Sequence, residues 1–326
     1  MKKKIARFLS SVYRSALDIS QNSYRKGPLR IEKAGARVIS IGNITWGGTG
    51  KTPLVAKLAY DISRLGKKVA ILTRGYGKDE VEELKRKLPD VPILTGRDRI
   101  RTAREAVDKH KAEILILDDG FQHIRLHRDF DVVTINSTEP FGPGGLIPAG
   151  TLREPIEHLS RADLFILTKS DIGAKNVHWI SQKLQELKPG AVIMEAVHKP
   201  LYFWDAALDR TVDLRDLRGR KVAALSGLAD PHSFEKTLEN LGIEIVFAGR
   251  FDDHYDYTRN DIDEFLRRTA AVGASEVVTT RKDFERLKSF FAKGLPDNWK
   301  RFRFLVLEIE FQLSDEEDFL RRCVNS

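Results

Sequence analysis

The stretch Ser40 to Thr52, SIGNITWGGTGKT, constrains this chain more than any other part of it. An apolar run, Val38-Ile39-Ser40-Ile41, leads into it, and Pro53 to Ala59 follows with the apolar spacing of a helix. Strand, glycine-rich turn and helix is the context in which backbone N–H groups and a helix N-terminus cradle phosphate. Lys51 is placed to reach β- and γ-phosphates, and Thr52 to offer its hydroxyl to Mg²⁺. Thr45 stands where the general pattern G-x-x-x-x-G-K-[ST] has its first glycine, while Gly47, Gly48 and Gly50 keep the turn permissive. The expected nucleotide-binding set is therefore Thr45, Trp46, Gly47, Gly48, Thr49, Gly50, Lys51 and Thr52. The alternative is a glycine-rich strand-helix turn without a ligand.

Strand patterns alternating with helical ones extend on both sides of this turn. Val69 to Thr73 reads as a strand ending in Arg74-Gly75-Tyr76-Gly77, a position where open α/β sheets bind ligands. Lys78 to Leu88 reads as a charged helix with Asp79 and Glu80 in its first turn, where carboxylates complement the helix dipole. Ile114 to Leu117 is a further strand, ending in Asp118 and Asp119, where a phosphate-loop protein needs its Mg²⁺-holding aspartate. Extended backbone would send these two side chains opposite ways. His123 and His127 have a ligand-like spacing in too short a segment, and zinc is not expected. Phe141 to Gly150 is a loop, either a lid or a plain connection.

The expected fold class is α/β and P-loop NTPase-like, a mainly parallel sheet flanked by helices. A second, smaller α/β domain follows, because the strand-helix alternation resumes after an aromatic and charged stretch around residues 190 to 220. The domains expected are 1–30, a basic amphipathic helix; 31–205, the phosphate-loop domain; and 206–326, the C-terminal domain. In the first, Ile5, Phe8, Leu9, Val12, Tyr13, Ala16 and Leu17 share a helical face, flanked by Lys2, Lys3, Lys4, Arg7 and Arg14. Such a helix either lies in an anionic membrane interface or docks on its own protein.

The totals narrow the setting. Lys and Arg exceed Asp and Glu by 55 to 47, a net charge of +8 that suits an anionic partner without choosing one. Cys323 is the single cysteine, so no intrachain disulfide forms and a reducing cytoplasmic compartment is expected. No apolar run approaches the roughly 18 residues of a membrane span.

An ordered set of motifs resembles one family, the tetraacyldisaccharide 4'-kinases of lipid A biosynthesis, peripheral inner-membrane enzymes of Gram-negative bacteria. The resemblance spans nearly the whole chain: GNITWGGTGKTP from Gly42, LTRGYG from Leu72, LDDGFQH from Leu117, LHRD from Leu126, IPAGTLREP from Ile147, RADLFILTKSD from Arg161, SGLADP from Ser226, DDHYDY from Asp252 and TTRKDFERL from Thr279. It implies transfer of the γ-phosphate of ATP, with Mg²⁺, to the 4'-hydroxyl of a tetraacyldisaccharide 1-phosphate, giving lipid IVA at the cytoplasmic face of the inner membrane.

The resemblance also implies roles. Asp79 would take the hydroxyl proton, with His254 orienting or tuning it; here Lys78 and Val81 replace the family's glycine and proline around Asp79-Glu80. Lys51 would bind phosphate, Arg99 and Arg153 would stabilise its charge, and Thr52, Asp118, Asp119 and Glu154 would serve the metal directly or at one remove. Two rival readings remain open. Thr168-Lys169-Ser170-Asp171 resembles the guanine-reading element of GTPases, and the basic balance would suit a nucleic-acid-binding ATPase, although no recognition module accompanies it and nucleic acid is not expected.

Overall fold

The computed structural model describes residues 2–46, 48–75, 78–292 and 294–325, without the side chains of residues 2, 3, 25, 78 and 79. The chain divides into two compact units, Met1–Val197 with Phe311–Ser326, and His198–Glu310.

The first unit opens with α1 (Lys2–Arg25), followed by β1 (Arg37–Gly42), α2 (Lys51–Arg64), β2 (Val69–Thr73), α3 (Lys78–Lys87), β3 (Ile93–Thr95) and α4 (Arg99–His110). It continues through β4 (Ile114–Asp118), β5 (Phe130–Asn136), β6 (Leu164–Thr168), α5 (Ala174–Leu187) and the start of β7 (Val192–Asp205). Its strands lie in the order β7-β6-β5-β1-β4-β2-β3, each pair parallel. Both faces are covered, so the strands are apolar without interruption: β4 and β6 are buried at every position. Along β1, Ile39 and Ile41 pack with Leu54, Val55 and Leu58 of α2, whereas Val38 turns to Ile100 and Ala103 of α4.

The second unit contains the rest of β7, then β8 (Arg210–Val212), β9 (Lys221–Ser226), α6 (Pro231–Asn240), β10 (Glu244–Arg250), α7 (Arg259–Ala271), β11 (Glu276–Thr280), α8 (Arg281–Ala292) and most of β12 (Arg303–Leu313). Strands β10, β9, β11 and β12 are parallel in that order, and β8 pairs antiparallel with the end of β7. The helices start where capping chemistry predicts. Asp230 accepts the Ser233 N–H with Pro231 at the first helical position of α6, and Thr258 and Asp261 form a capping box on α7.

The domain limits differ from the sequence expectation. Residue 205 ends a continuous strand, and the units divide at 197/198 instead. The aromatic run that suggested a boundary is part of that strand, with Phe203 fully buried in the core of the second unit. The chain also returns: β12 leads back to the first unit, where α9 (Glu316–Asn325) packs Phe319 and Cys323 into the core that contains α2. Arg37 Nε donates to the Cys323 carbonyl at 2.7 Å, and Lys57 pairs with Glu316 at 2.8 Å.

Because Ile39 is fully buried between β1 and α2, Ile39→Ala should destabilise the first unit by about 3 kcal/mol. A lowered urea midpoint with an unchanged slope would register it.

Candidate active site

The phosphate loop is set by close contacts rather than by sequence alone. Gly42 ends β1 where a Cβ would come within 2.7 Å of the Phe121 backbone nitrogen, so the Asp118–Phe121 turn can lie directly against the loop's entry. Gly50 caps α2 in the left-handed region, φ 76°, with the Thr168 methyl 3.3 Å from where its Cβ would be. Thr168 Oγ1 donates to the Thr49 carbonyl at 3.1 Å, and the Thr49 and Thr134 hydroxyls are 2.8 Å apart. The threonine of the TKSD element is thus spent on holding the phosphate loop.

The other side of the loop is tied to residues 151–153. Trp46 N–H donates to the Thr151 carbonyl at 2.7 Å and Arg153 N–H to the Ile44 carbonyl at 2.6 Å. Asn43 Nδ2 donates to the Thr45 carbonyl at 2.9 Å, which turns Thr45 inward, while the Trp46 side chain stands 72% exposed.

Lys51, the first residue of α2, has its ammonium 3.6 Å from Asp119. Asp119 adopts φ 54°, so the extended-strand expectation for the aspartate pair is replaced by a turn. Arg153 NH1 donates to both Asp119 oxygens, at 2.7 and 2.9 Å. Burial raises the Asp119 carboxyl, but Lys51 and Arg153 outweigh it and hold it below the usual range. Asp118 differs: burial pushes it up to about 6 against the pull of Lys51, with Asp119 and Glu80 adding negative charge. Glu80 follows Asp79, so the first turn of α3 lies within electrostatic reach of the aspartate pair. The Asp79 side chain, Gly47 and Tyr76 lie outside what the structure describes.

Arg99 and Glu154 have structural surroundings. Arg99 is buried, and burial lowers its guanidinium to about 10, with Asp118 counteracting. It donates to the Asp118 carbonyl at 3.0 Å, which places it beneath the aspartate turn. Glu154, 1% exposed, accepts from Gln21 at 2.7 Å, His158 at 2.8 Å, Arg161 at 2.9 Å and Gln122 at 3.0 Å. Burial would raise its carboxyl, but these partners bring it down to about 2. Gln122 also donates to the Asn43 carbonyl at 2.9 Å, so this buried carboxylate joins α1 to the entry of the phosphate loop. Tyr13 of α1 adds a bond to the Arg153 carbonyl at 2.9 Å.

His254 belongs to the second unit. It lies with φ 61° between Lys282, 3.3 Å from Nε2, and Arg286, 3.2 Å from Nδ1. Beside it, Tyr257 donates to buried Asp283 at 2.9 Å; burial and that charge raise the phenol, which stays protonated.

The model of the tetraacyldisaccharide-1-P 4'-kinase family matches residues 3–325. The chain belongs to this family. It is 39% identical to the tetraacyldisaccharide 4'-kinase of Anaeromyxobacter dehalogenans (strain 2CP-C), over 96% of this chain and 87% of that one. Identity to the enzyme of the same name from Syntrophus aciditrophicus (strain SB) is 36%, over 95% and 89%. Among solved structures it resembles LpxK from Aquifex aeolicus in complex with ATP, with a TM-score of 0.71, 28% identity and coverage of 99% and 98%. The fold is P-loop NTPase-like.

Within this family framework, the structure brings Lys51, Asp118, Asp119 and Arg153 together, while Arg99 and Glu154 stand behind them. Thr52 lies in the first turn of α2, next to Lys51. Sequence reasoning about chemistry passed over Asn43, Gln122, His158, Arg161 and Gln21, which hydrogen-bond to Glu154 or to the entry of the glycine-rich loop. Asn43 and Gln122 fall inside two of the recurring motifs, and that was their available signal.

The Glu154 network predicts a pH dependence. A carboxylate lowered from 4.5 to about 2 contributes stability that is present above its unfolded value and lost as pH falls toward the folded one, about 3 kcal/mol in all. Glu154→Gln should therefore be less stable than wild type at neutral pH, and the gap should close between pH 4.5 and about 2, as followed by urea unfolding across that range.

Proposed function

We infer that this protein transfers the γ-phosphate of ATP to the 4'-hydroxyl of a tetraacyldisaccharide 1-phosphate. The observation that carries this is the Lys51–Asp119–Arg153 group at the start of α2, 3.6 and 2.7 Å apart, in a chain matched to the kinase family from end to end.

Phosphoryl transfer passes through a loose, highly charged transition state, so catalysis consists mainly of positioning and charge neutralisation. Lys51 meets the β- and γ-phosphates at the helix N-terminus. Asp119 is occupied by Arg153, which keeps Lys51 oriented and places a second cation beside the phosphates. Thr52 and Asp118 fit Mg²⁺: a hydroxyl and a buried carboxylate are hard oxygen donors. That suits an ion which takes one or two carboxylates and completes its shell with phosphate and water. Bound there, Mg²⁺ supplies charge neutralisation on the phosphates. For the acceptor hydroxyl, Asp79 is the proposed proton acceptor, and the family resemblance implies for His254 a role in orienting or tuning the acceptor chemistry. The reach of Glu80 to Asp118 supports an acidic first turn of α3 beside the donor site.

The acceptor's acyl chains require a membrane surface. No helix among the described residues is long and apolar enough to cross a bilayer. Instead, α1 turns Ser10, Tyr13 and Gln21 toward the protein and leaves Ile5, Phe8, Leu9, Val12 and Ile19 outward, Phe8 at 69% and Ile19 at 68% exposed. Most of the apolar stripe thus stays off the protein, while Tyr13 at its edge packs on the core. We place this face in the cytoplasmic leaflet's interface, with Lys4, Arg7 and Arg14 beside it.

With γ-labelled ATP and the disaccharide precursor, wild type should label the lipid, and Lys51→Ala should lower kcat about a hundredfold or more while leaving lipid binding intact. Near-normal turnover by Asp79→Ala would remove that residue as the base. Phe8→Glu with Val12→Glu should abolish sedimentation with anionic vesicles without changing ATP affinity; unchanged sedimentation would overturn the membrane role of α1.

A further inference from the structure

Both ring nitrogens of His254 face cations that lie one turn apart on α8: Arg286 NH2 at 3.2 Å from Nδ1 and Lys282 Nζ at 3.3 Å from Nε2. A neutral imidazole has one N–H and one lone pair, and neither a guanidinium nor an ammonium can accept, so one of the two contacts at a time is a hydrogen bond. What holds each cation decides which. The Arg286 side chain is 8% exposed, and its NH1 donates to Asp283 Oδ1 and to the Gly227 carbonyl, both at 3.3 Å. Asp283 is fully buried and accepts from Gly227 N–H at 2.9 Å, Tyr257 at 2.9 Å and Thr280 at 2.7 Å. Moving Arg286 would leave that buried carboxylate without its cation, a strongly unfavourable change. Lys282 is 25% exposed and has Asp253 Oδ1 at 3.5 Å as a second partner. Its compact charge on a flexible stem can turn to that carboxylate. The Nε2 edge also lies 3.7 Å from Asp253 Oδ2, which a hydrogen on Nε2 would face.

We propose that Arg286 is a positioning residue for phosphoryl transfer: anchored by Asp283, it donates to Nδ1 of His254 and fixes the imidazole as the Nε2–H tautomer. The SGLADP turn through Gly227, the DDHYDY turn through Tyr257, the end of β11 through Thr280 and helix α8 through Arg286 then converge on one carboxylate, which holds the guanidinium that meets the ring. This role rests on His254 serving the acceptor side of the reaction; the assignment of the tautomer does not.

Two-bond ¹H–¹⁵N spectra of the histidine rings of the full-length protein, recorded above about pH 8 where imidazoles are neutral, read the tautomer directly. The His254 signal is identified by its loss in His254→Ala. Wild type should show the Nε2–H pattern. Lys282→Met, which removes a partly exposed side chain, should leave it unchanged. Arg286→Met, which leaves Lys282 as the cation facing the ring, should raise the Nδ1–H population severalfold and lower kcat about tenfold or more, with the KM for ATP within twofold. An Nδ1–H pattern in wild type, or a change of tautomer in Lys282→Met, would overturn the assignment even if Arg286→Met failed to fold. A tautomer change in Arg286→Met without loss of kcat would overturn the positioning role. Full turnover by His254→Ala would instead remove the acceptor-side reading and leave the tautomer result standing.

Discussion

The pairing of Lys51 with a clamped aspartate is the interaction on which the first unit depends. A lysine at the start of α2 adds its charge to the positive end of the helix dipole, and without a carboxylate the two would repel each other in a partly buried place. Asp119 supplies that carboxylate at 3.6 Å, and Arg153 holds Asp119 through both oxygens. The left-handed turn at Asp119 and the buried guanidinium of Arg99 on the Asp118 carbonyl accompany this pairing. Asp118 is left buried, with its carboxyl pushed up to about 6 by desolvation.

A second layer explains why the pair is rigid. Glu154 accepts from four side chains and so connects Gln21 of α1, Gln122 behind the aspartate turn, and His158 and Arg161 below the loop. A buried carboxylate satisfied in this way contributes through the number of its partners, because each lost bond would expose the desolvation penalty of the charge. The same network joins the helix with the outward apolar face to the entry of the phosphate loop. The outward-facing helix and the glycine-rich loop thus share one buried anchor.

The second unit uses the same device at a different place. Buried Asp283 gathers two turns and a helix, as Glu154 gathers its partners in the first unit, and Arg286, which pairs with it, lies 3.2 Å from His254 Nδ1. Glu154 and Asp283 are both buried, whereas Lys51 and His254 are partly exposed. Conformational entropy gives a reason: a reactive side chain needs access, so its rotamers must be restricted from behind.

The alternation of strands and helices was legible in the sequence because buried parallel strands such as Ile114 to Leu117 and Leu164 to Leu167 are uninterrupted apolar runs. That Lys51 and the aspartate pair would meet was legible because they stand at the ends of neighbouring elements, the start of α2 and the end of β4. The reach of β7 was not, since Pro200 and a mixed pattern of exposure disguise a strand that continues from one unit into the other. Nor was the return of residues 311–326 to the first unit, which rests on Phe319 and Cys323 finding a core far away in the chain. Glu154, Arg99 and Asp283 carry no local pattern that distinguishes a buried anchor from a surface charge. The sequence by itself determined the fold class and the family, because those depend on short-range periodicity and on motifs confined to a few adjacent positions. Tertiary structure alone decided which charges are buried, which partners hold them and which face of α1 turns outward, because burial and hydrogen-bond geometry arise only when distant segments meet.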